Sequence, residues 1–197
     1  MRLTTSIVLA LAAACSSGGS GSASFTGTVR GQTFSPKDAI SANTTISTAS
    51  GPANVAAIVL VNQTGLCGDV NQNKEPKNSQ YFAITLGVLQ GGAFVTPTAT
   101  GDFAVYSGSG SPSSSNIAIV GSRTTDAQCK YIASYDAMGA SGTVHLSSIS
   151  NGAYSGAFDV NVQGSSGAAD HVTGTFSASN CAILGTLISS NASTTCI

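Results

Sequence analysis

Polar and apolar residues alternate along most of the chain from residue 24 onward, and the period of two marks half-buried β-strands. The segment AYSGAFDVNVQ, residues 153–163, puts Tyr154, Phe158, Val160 and Val162 on one face and Ala157, Asp159 and Asn161 on the other. In SGTVHLSSIS, Val144 and Leu146 alternate with Thr143 and His145, and HVTGTFSA sends Val172 and Phe176 to one side with Gly174 between them. Asn151-Gly152 and Gly164-Ser165-Ser166-Gly167 separate these runs and are good turn sequences. The pattern predicts a three-stranded antiparallel meander at the C-terminal end. Further strands are expected at 24–31, 54–62, 81–89, 101–108, 116–123 and 128–136. The run Val55–Val61 is apolar on both faces, so it should lie deep inside. No long stretch has helical periodicity. About nine short strands with polar turns predict an all-β domain, either an antiparallel β-sandwich or a closed β-barrel. A closed barrel would hide the exposed edges that a chain with few charges cannot guard.

Charge changes this picture in one respect. Of the 197 residues 42% are hydrophobic and only 8% are charged, with a net charge of −1, against about 25% charged in an average soluble protein. Such a chain has material for a core and little self-repulsion, which argues against disorder. Its Lys and Arg residues are scattered, and without a basic stripe to displace counterions no nucleic-acid partner is expected. Solubility must come from Ser, Thr, Asn, Gln and Gly.

The N-terminus reads as an address. Met1-Arg2-Leu3 opens it, and the apolar run Ile7–Ala14 is far shorter than the roughly 20 residues a membrane span needs. The stretch Leu11-Ala12-Ala13-Ala14-Cys15 followed by SSGGSGS resembles the lipobox and tether of bacterial lipoproteins. Ala12 stands where those proteins prefer Leu. The resemblance implies cleavage after residue 14, acylation of Cys15, and a flexible Ser/Gly tether over residues 15–23 leading to a single domain at 24–197. The membrane is then a partner through the anchor, because two or more acyl chains hold a protein where one does not. Ser16 is not the Asp that retains such proteins at the inner membrane, so the outer membrane is implied. A competing reading remains open: Ala12-x-Ala14 also suits ordinary signal peptidase, which would release a secreted protein. The body, through TGTVRGQTFSPKDAIS, CGDVNQNKEPKNS and SGTVHLSSI…YSGAFDV…HVTGTFSASNC, resembles a group of myxobacterial lipoproteins. That group has no assigned activity, so the likeness supplies no catalytic residues.

Cysteine number fits the same reading. Five cysteines stand at 15, 67, 129, 181 and 196. If Cys15 is acylated, the other four can form two disulfides in an oxidising compartment. The expected pairs are Cys67–Cys129 and Cys181–Cys196, the second closing a 15-residue loop worth about 3 kcal/mol in the chain-entropy model.

Candidates for chemistry are few. Asp69, Asn71 and Asn73 have the spacing of a calcium loop, but Lys74 replaces the turn Gly and Gln80 the bidentate Glu. The alternative is a short helical or looped connector in which Leu66 and Val70, one turn apart, pack down and Pro76 ends it. His145 and His171 could approach each other, with Asp159 or Asp170, if their strands were neighbours. No HxH, HExxH or CxxC spacing accompanies them, and no G-x-S-x-G, Walker or dinucleotide motif occurs. No catalytic residue, metal or cofactor is assigned. The functional expectation is a non-catalytic binding or structural role at the cell envelope. The alternatives are a small hydrolase using His145 or His171, and a carrier with an apolar cavity inside a barrel, which a filled interior would exclude.

Overall fold

The C-terminal meander forms as its alternation predicts. In the computed structural model, which describes residues 20–48, 51–108, 112–165, 167–190 and 194–197, it is the center of a larger closed sheet. The signal region and Cys15 lie outside the described residues. The elements in order are β1 (Ser22–Thr26), β2 (Thr28–Val29), β3 (Gln32–Thr33), β4 (Asp38–Thr48), β5 (Gly51–Val61), α1 (Leu66–Asn71), β6 (Lys74–Glu75), β7 (Gln80–Gln90) and β8 (Ala93–Val95). They continue with β9 (Gly101–Val105), β10 (Asn116–Thr124), β11 (Ala137–Ser150), β12 (Ala153–Gln163), β13 (Asp170–Asn180), α2 (Ala182–Ser190) and β14 (Thr195–Cys196). Strand β1 starts at Ser22, two residues before the expected end of the tether.

Ten strands make one sheet. β13 pairs antiparallel with β12 and also, in parallel, with β4 through Ser179↔Ile40 and Asn180↔Ser41. The path β4-β5-β7-β10-β11-β12-β13 therefore returns to itself as a barrel. β9 wedges between β10 and β11, parallel to the first and antiparallel to the second. The expectation of a wholly antiparallel sheet is corrected at these two parallel ladders. β4 and β13 are far apart in sequence, and β9 and β10, though consecutive, are joined by a connection (106–115) too long for a tight hairpin, so no two-residue turn dictates direction in either ladder.

The interior is filled. Ile58 and Leu60 of β5, Phe82 and Ile84 of β7, Val120 of β10 and Val160 of β12 belong to one buried cluster. Phe25 lies edge-on to Phe34 and Phe82, with ring centroids 4.9 and 5.2 Å apart, and Phe82 stacks on Phe158 at 5.1 Å. Side chains thus occupy the barrel interior among the described residues, which lends no support to a carrier with an internal cavity.

A second cluster lies outside the barrel. Ile40, Ala42 and Val61 point outward from β4 and β5, and α1 and α2 cover them with Leu66, Val70 and Leu184. The run Val55–Val61 is thus buried on both faces, as expected, but its second face meets helices. Thr44 Oγ1 donates to the Gly185 carbonyl at 2.8 Å and fixes α2 on β4. Both disulfides tie down this cover. Cys67 of α1 bonds Cys181, which precedes α2, and Cys129 bonds Cys196 of β14. The expected pairs Cys67–Cys129 and Cys181–Cys196 are therefore wrong. Nearness along the chain misled, because α2 carries the chain away from Cys181 before β14 pairs with β6.

Two other expectations change. Residues 128–136 do not form a strand: Asp126 Oδ1 accepts the Gln128 and Lys130 N–H groups, both at 2.8 Å, and Cys129 takes φ 56°. A 3-10 turn follows at Ala133–Tyr135. Residues 67–78 hold the helical connector, with Leu66 and Val70 buried, and the helix ends at Asn71, well before Pro76.

Candidate functional site

The two histidines do not come together. His145 on β11 faces Ala157, which faces Thr175, and His171 lies four residues further along β13. Strand spacing and rise then separate them by roughly 15 Å. Each pairs with its own aspartate on the open outer face: His145 Nδ1 with Asp102 Oδ1 at 2.6 Å, and His171 Nε2 with Asp159 Oδ1 at 2.7 Å. All four side chains are more than half exposed. Such pairs contribute about 0–1 kcal/mol. Asp170 instead accepts the Arg30 N–H at 2.8 Å. The hydrolase reading loses the shared pocket it required. Among the described residues, no cluster of three or more His, Cys, Asp or Glu could hold a metal.

The hollow that the fold does build lies where the helical cover stops short. Across the outer face, Val59, Ala83, Gly121 and Met138 form one transverse row over β5, β7, β10 and β11. The rows on either side carry larger groups: Thr85 with Ile119, and Val61 with Tyr81 and Arg123. Small residues at the middle of the row leave a trough. Leu184, Leu187 and Ile188 of α2 and Leu66 and Val70 of α1 wall it on one side. The result is an open cleft of about 690 Å³, within the roughly 300–1,000 Å³ of small-molecule sites.

Polar groups gather at one end. The Arg123 guanidinium lies over the Tyr131 ring, 4.7 Å from its centroid, and among the described residues it has no salt bridge. Asp136 has one carboxylate oxygen, Oδ1, buried without a hydrogen-bond partner. Burial pushes its pKa up, against the pull of Arg123. Tyr81 on the floor is pushed up to about 12, chiefly by burial, with Glu75 and Asp69 acting in the same direction and Ser79 opposing. It is therefore a neutral phenol near neutral pH. The other charged groups on the lining are engaged: Lys74 Nζ donates to Gln72 Oε1 at 2.7 Å, and Glu75 Oε2 accepts from Thr194 Oγ1 at 3.0 Å.

No protein family, curated protein or solved structure matches the chain. The arrangement must be read on its own chemistry: a trough with an apolar floor and, on its rim, Arg123 stacked on Tyr131. Sequence reasoning did not single out Arg123 or Asp136. The helical wall did leave a signal, since Leu184, Leu187 and Ile188 have the i, i+3, i+4 spacing of a helix face.

Proposed function

We propose that this chain is a lipid-anchored, extracytoplasmic binding protein whose outer-face cleft takes an apolar small molecule. The cleft carries this reading. Its floor is apolar and hollowed by Ala83 and Gly121, and two of the three large apolar side chains that stand exposed among the described residues, Tyr131 at 43% and Met138 at 57%, line it. Apolar residues grouped at one concavity mark an interaction site, whereas scattered ones do not. Two disulfides support an oxidising compartment. The test is a titration with neutral N-phenylnaphthylamine, whose fluorescence rises in apolar surroundings, on the full chain and on Ala83→Trp. Binding that the Trp variant abolishes supports the reading. Absence of binding, or binding unaffected by the variant, removes it.

The anchor rests on Ala12-Ala13-Ala14-Cys15 and the Ser/Gly run after it. The intact mass of native protein extracted from membranes tests it. A species starting at Cys15 and heavier by acyl groups supports an outer-membrane lipoprotein. An unmodified chain in the medium supports the secreted alternative.

A further inference from the structure

Resting on the cleft as a ligand site, we infer that its ligand is a long-chain carboxylate, with the chain in the Ala83–Gly121 trough and the carboxylate on Arg123. Three observations converge. The trough has an apolar floor in Val59, Ala83, Gly121 and Met138, and Arg123 stands on the same lining, two residues along β10 from Gly121. Arg123 makes no ion pair within the described residues, while Lys74 and Glu75 on the same lining are already hydrogen-bonded. The Tyr131 ring covers one face of the guanidinium, which fixes its plane and leaves the N–H edge for an incoming group. A planar fork of donors matches a carboxylate in bidentate fashion and offers less to a hydroxyl, which can engage only part of it. An ammonium head meets the Arg123 charge and cannot accept from its fork.

Asp136 sets the limit on this site. Its carboxyl lies in the same wall, and when ionised it competes with the ligand for Arg123. The wall therefore discriminates by the balance of these two side chains, and their substitutions must act in opposite directions. Arg123→Gln weakens carboxylate binding, and Asp136→Asn strengthens it. Neither changes the affinity for an uncharged molecule of the same length.

The experiment uses the full chain with Cys15→Ser, so that neither an anchor of its own nor detergent competes. Bound N-phenylnaphthylamine is displaced with laurate, dodecanol and dodecylammonium, which share one alkyl chain and differ in the head. The expected result is that laurate displaces at a concentration about fivefold lower than dodecanol, as suits an exposed charge pair. Arg123→Gln should erase that advantage while dodecanol is unchanged, and Asp136→Asn should enlarge it. Circular dichroism and the urea midpoint confirm that each variant is folded. If the probe binds but laurate is no better than dodecanol, or Arg123→Gln leaves the advantage intact, the head-group assignment is overturned and the cleft stands. If the probe does not bind at all, the cleft reading itself falls, and this inference with it.

Discussion

Phe158 on β12 lies directly opposite Gly174 on β13, and its ring occupies the space a side chain there would need. A Cβ built at Gly174 would lie 2.5 Å from the tip of that ring and 2.2 Å from the Ser24 carbonyl oxygen of β1. The relationship is reciprocal: Gly156 lies opposite Phe176, and a Cβ there would lie 2.8 Å from the Phe176 ring and 2.2 Å from the His145 carbonyl. Each phenylalanine covers the glycine of its neighbour, so the meander packs two large rings on adjacent strands without crowding. Gly174→Ala should therefore destabilise the domain by about 1–3 kcal/mol, the usual cost of overpacking. Urea unfolding is the measurement, and a midpoint unchanged from wild type would show that both the Phe158 ring and the β1 backbone at Ser24 give way freely.

Those glycines were visible as gaps in the alternation, and the strands bearing them were the most legible part of the chain. The Val–Phe–Tyr contrast with Ser, Thr and Asp is strong there because one face is core and the other is water. β4 was not legible for the opposite reason. Its inward Ala39 and Ser41 and its outward Ile40, Ala42 and Thr44 are all buried, and small residues of mixed polarity on two covered faces leave no period. Residues 128–136 failed differently, since Tyr131 and Ile132 look like strand residues while the Asp126 carboxylate holds the backbone in a turn. The cleft was invisible for a geometric reason. Ala83, Gly121 and Met138 belong to three strands, and only the register sets them side by side.

Asp38 is the anchor of the cover. Its buried carboxylate accepts four backbone N–H groups: Gly21 and Ala39 on Oδ1 at 3.1 and 2.8 Å, and Gly65 and Leu66 on Oδ2 at 3.0 and 3.1 Å. One side chain thus joins the start of β1, the start of β4 and the first turn of α1. Hydrogen bonds to a charged group are worth about 1.5–3 kcal/mol each, and donors left buried without a partner cost more. Asp38→Ala should lower stability by about 3 kcal/mol or more, with Asp38→Asn between the two. The urea midpoint reports it, and a loss below about 1 kcal/mol would mean that water replaces the carboxylate.

The disulfides make a prediction that separates the two ends of the cover. Non-reducing digestion should yield peptides joining Cys67 to Cys181 and Cys129 to Cys196, and a Cys67–Cys129 peptide would contradict the fold. The bridges span 114 and 67 residues, so the chain-entropy model assigns each about 4–5 kcal/mol. Removing either pair by Cys→Ser should lower the thermal midpoint. Only the Cys129–Cys196 bridge ties down the loop that carries Tyr131 at the cleft mouth. Its loss should remove the head-group preference at Arg123, whereas loss of Cys67–Cys181, which joins the two helices that wall the cleft, should weaken charged and uncharged ligands alike.

Asp136 should make stability depend on pH in a direction opposite to most aspartates. Burial raises its folded-state pKa above the ordinary value, and the unfolded chain returns it to about 3.9. Between those two values the native state keeps a proton that the unfolded state has lost. Stability therefore falls as pH rises through that window, and the deficit persists above it. Asp136→Asn cannot ionise and escapes the deficit. The variant should thus match wild type in acid and melt higher than wild type near neutral pH. Arg123 opposes the effect by favouring the charged carboxylate, so in an Arg123→Gln background the gain from Asp136→Asn should widen. Thermal melts of the four proteins across the acid-to-neutral range provide the check. A difference between wild type and Asp136→Asn that stays constant with pH would show that the carboxyl ionises in the cleft wall as freely as in water.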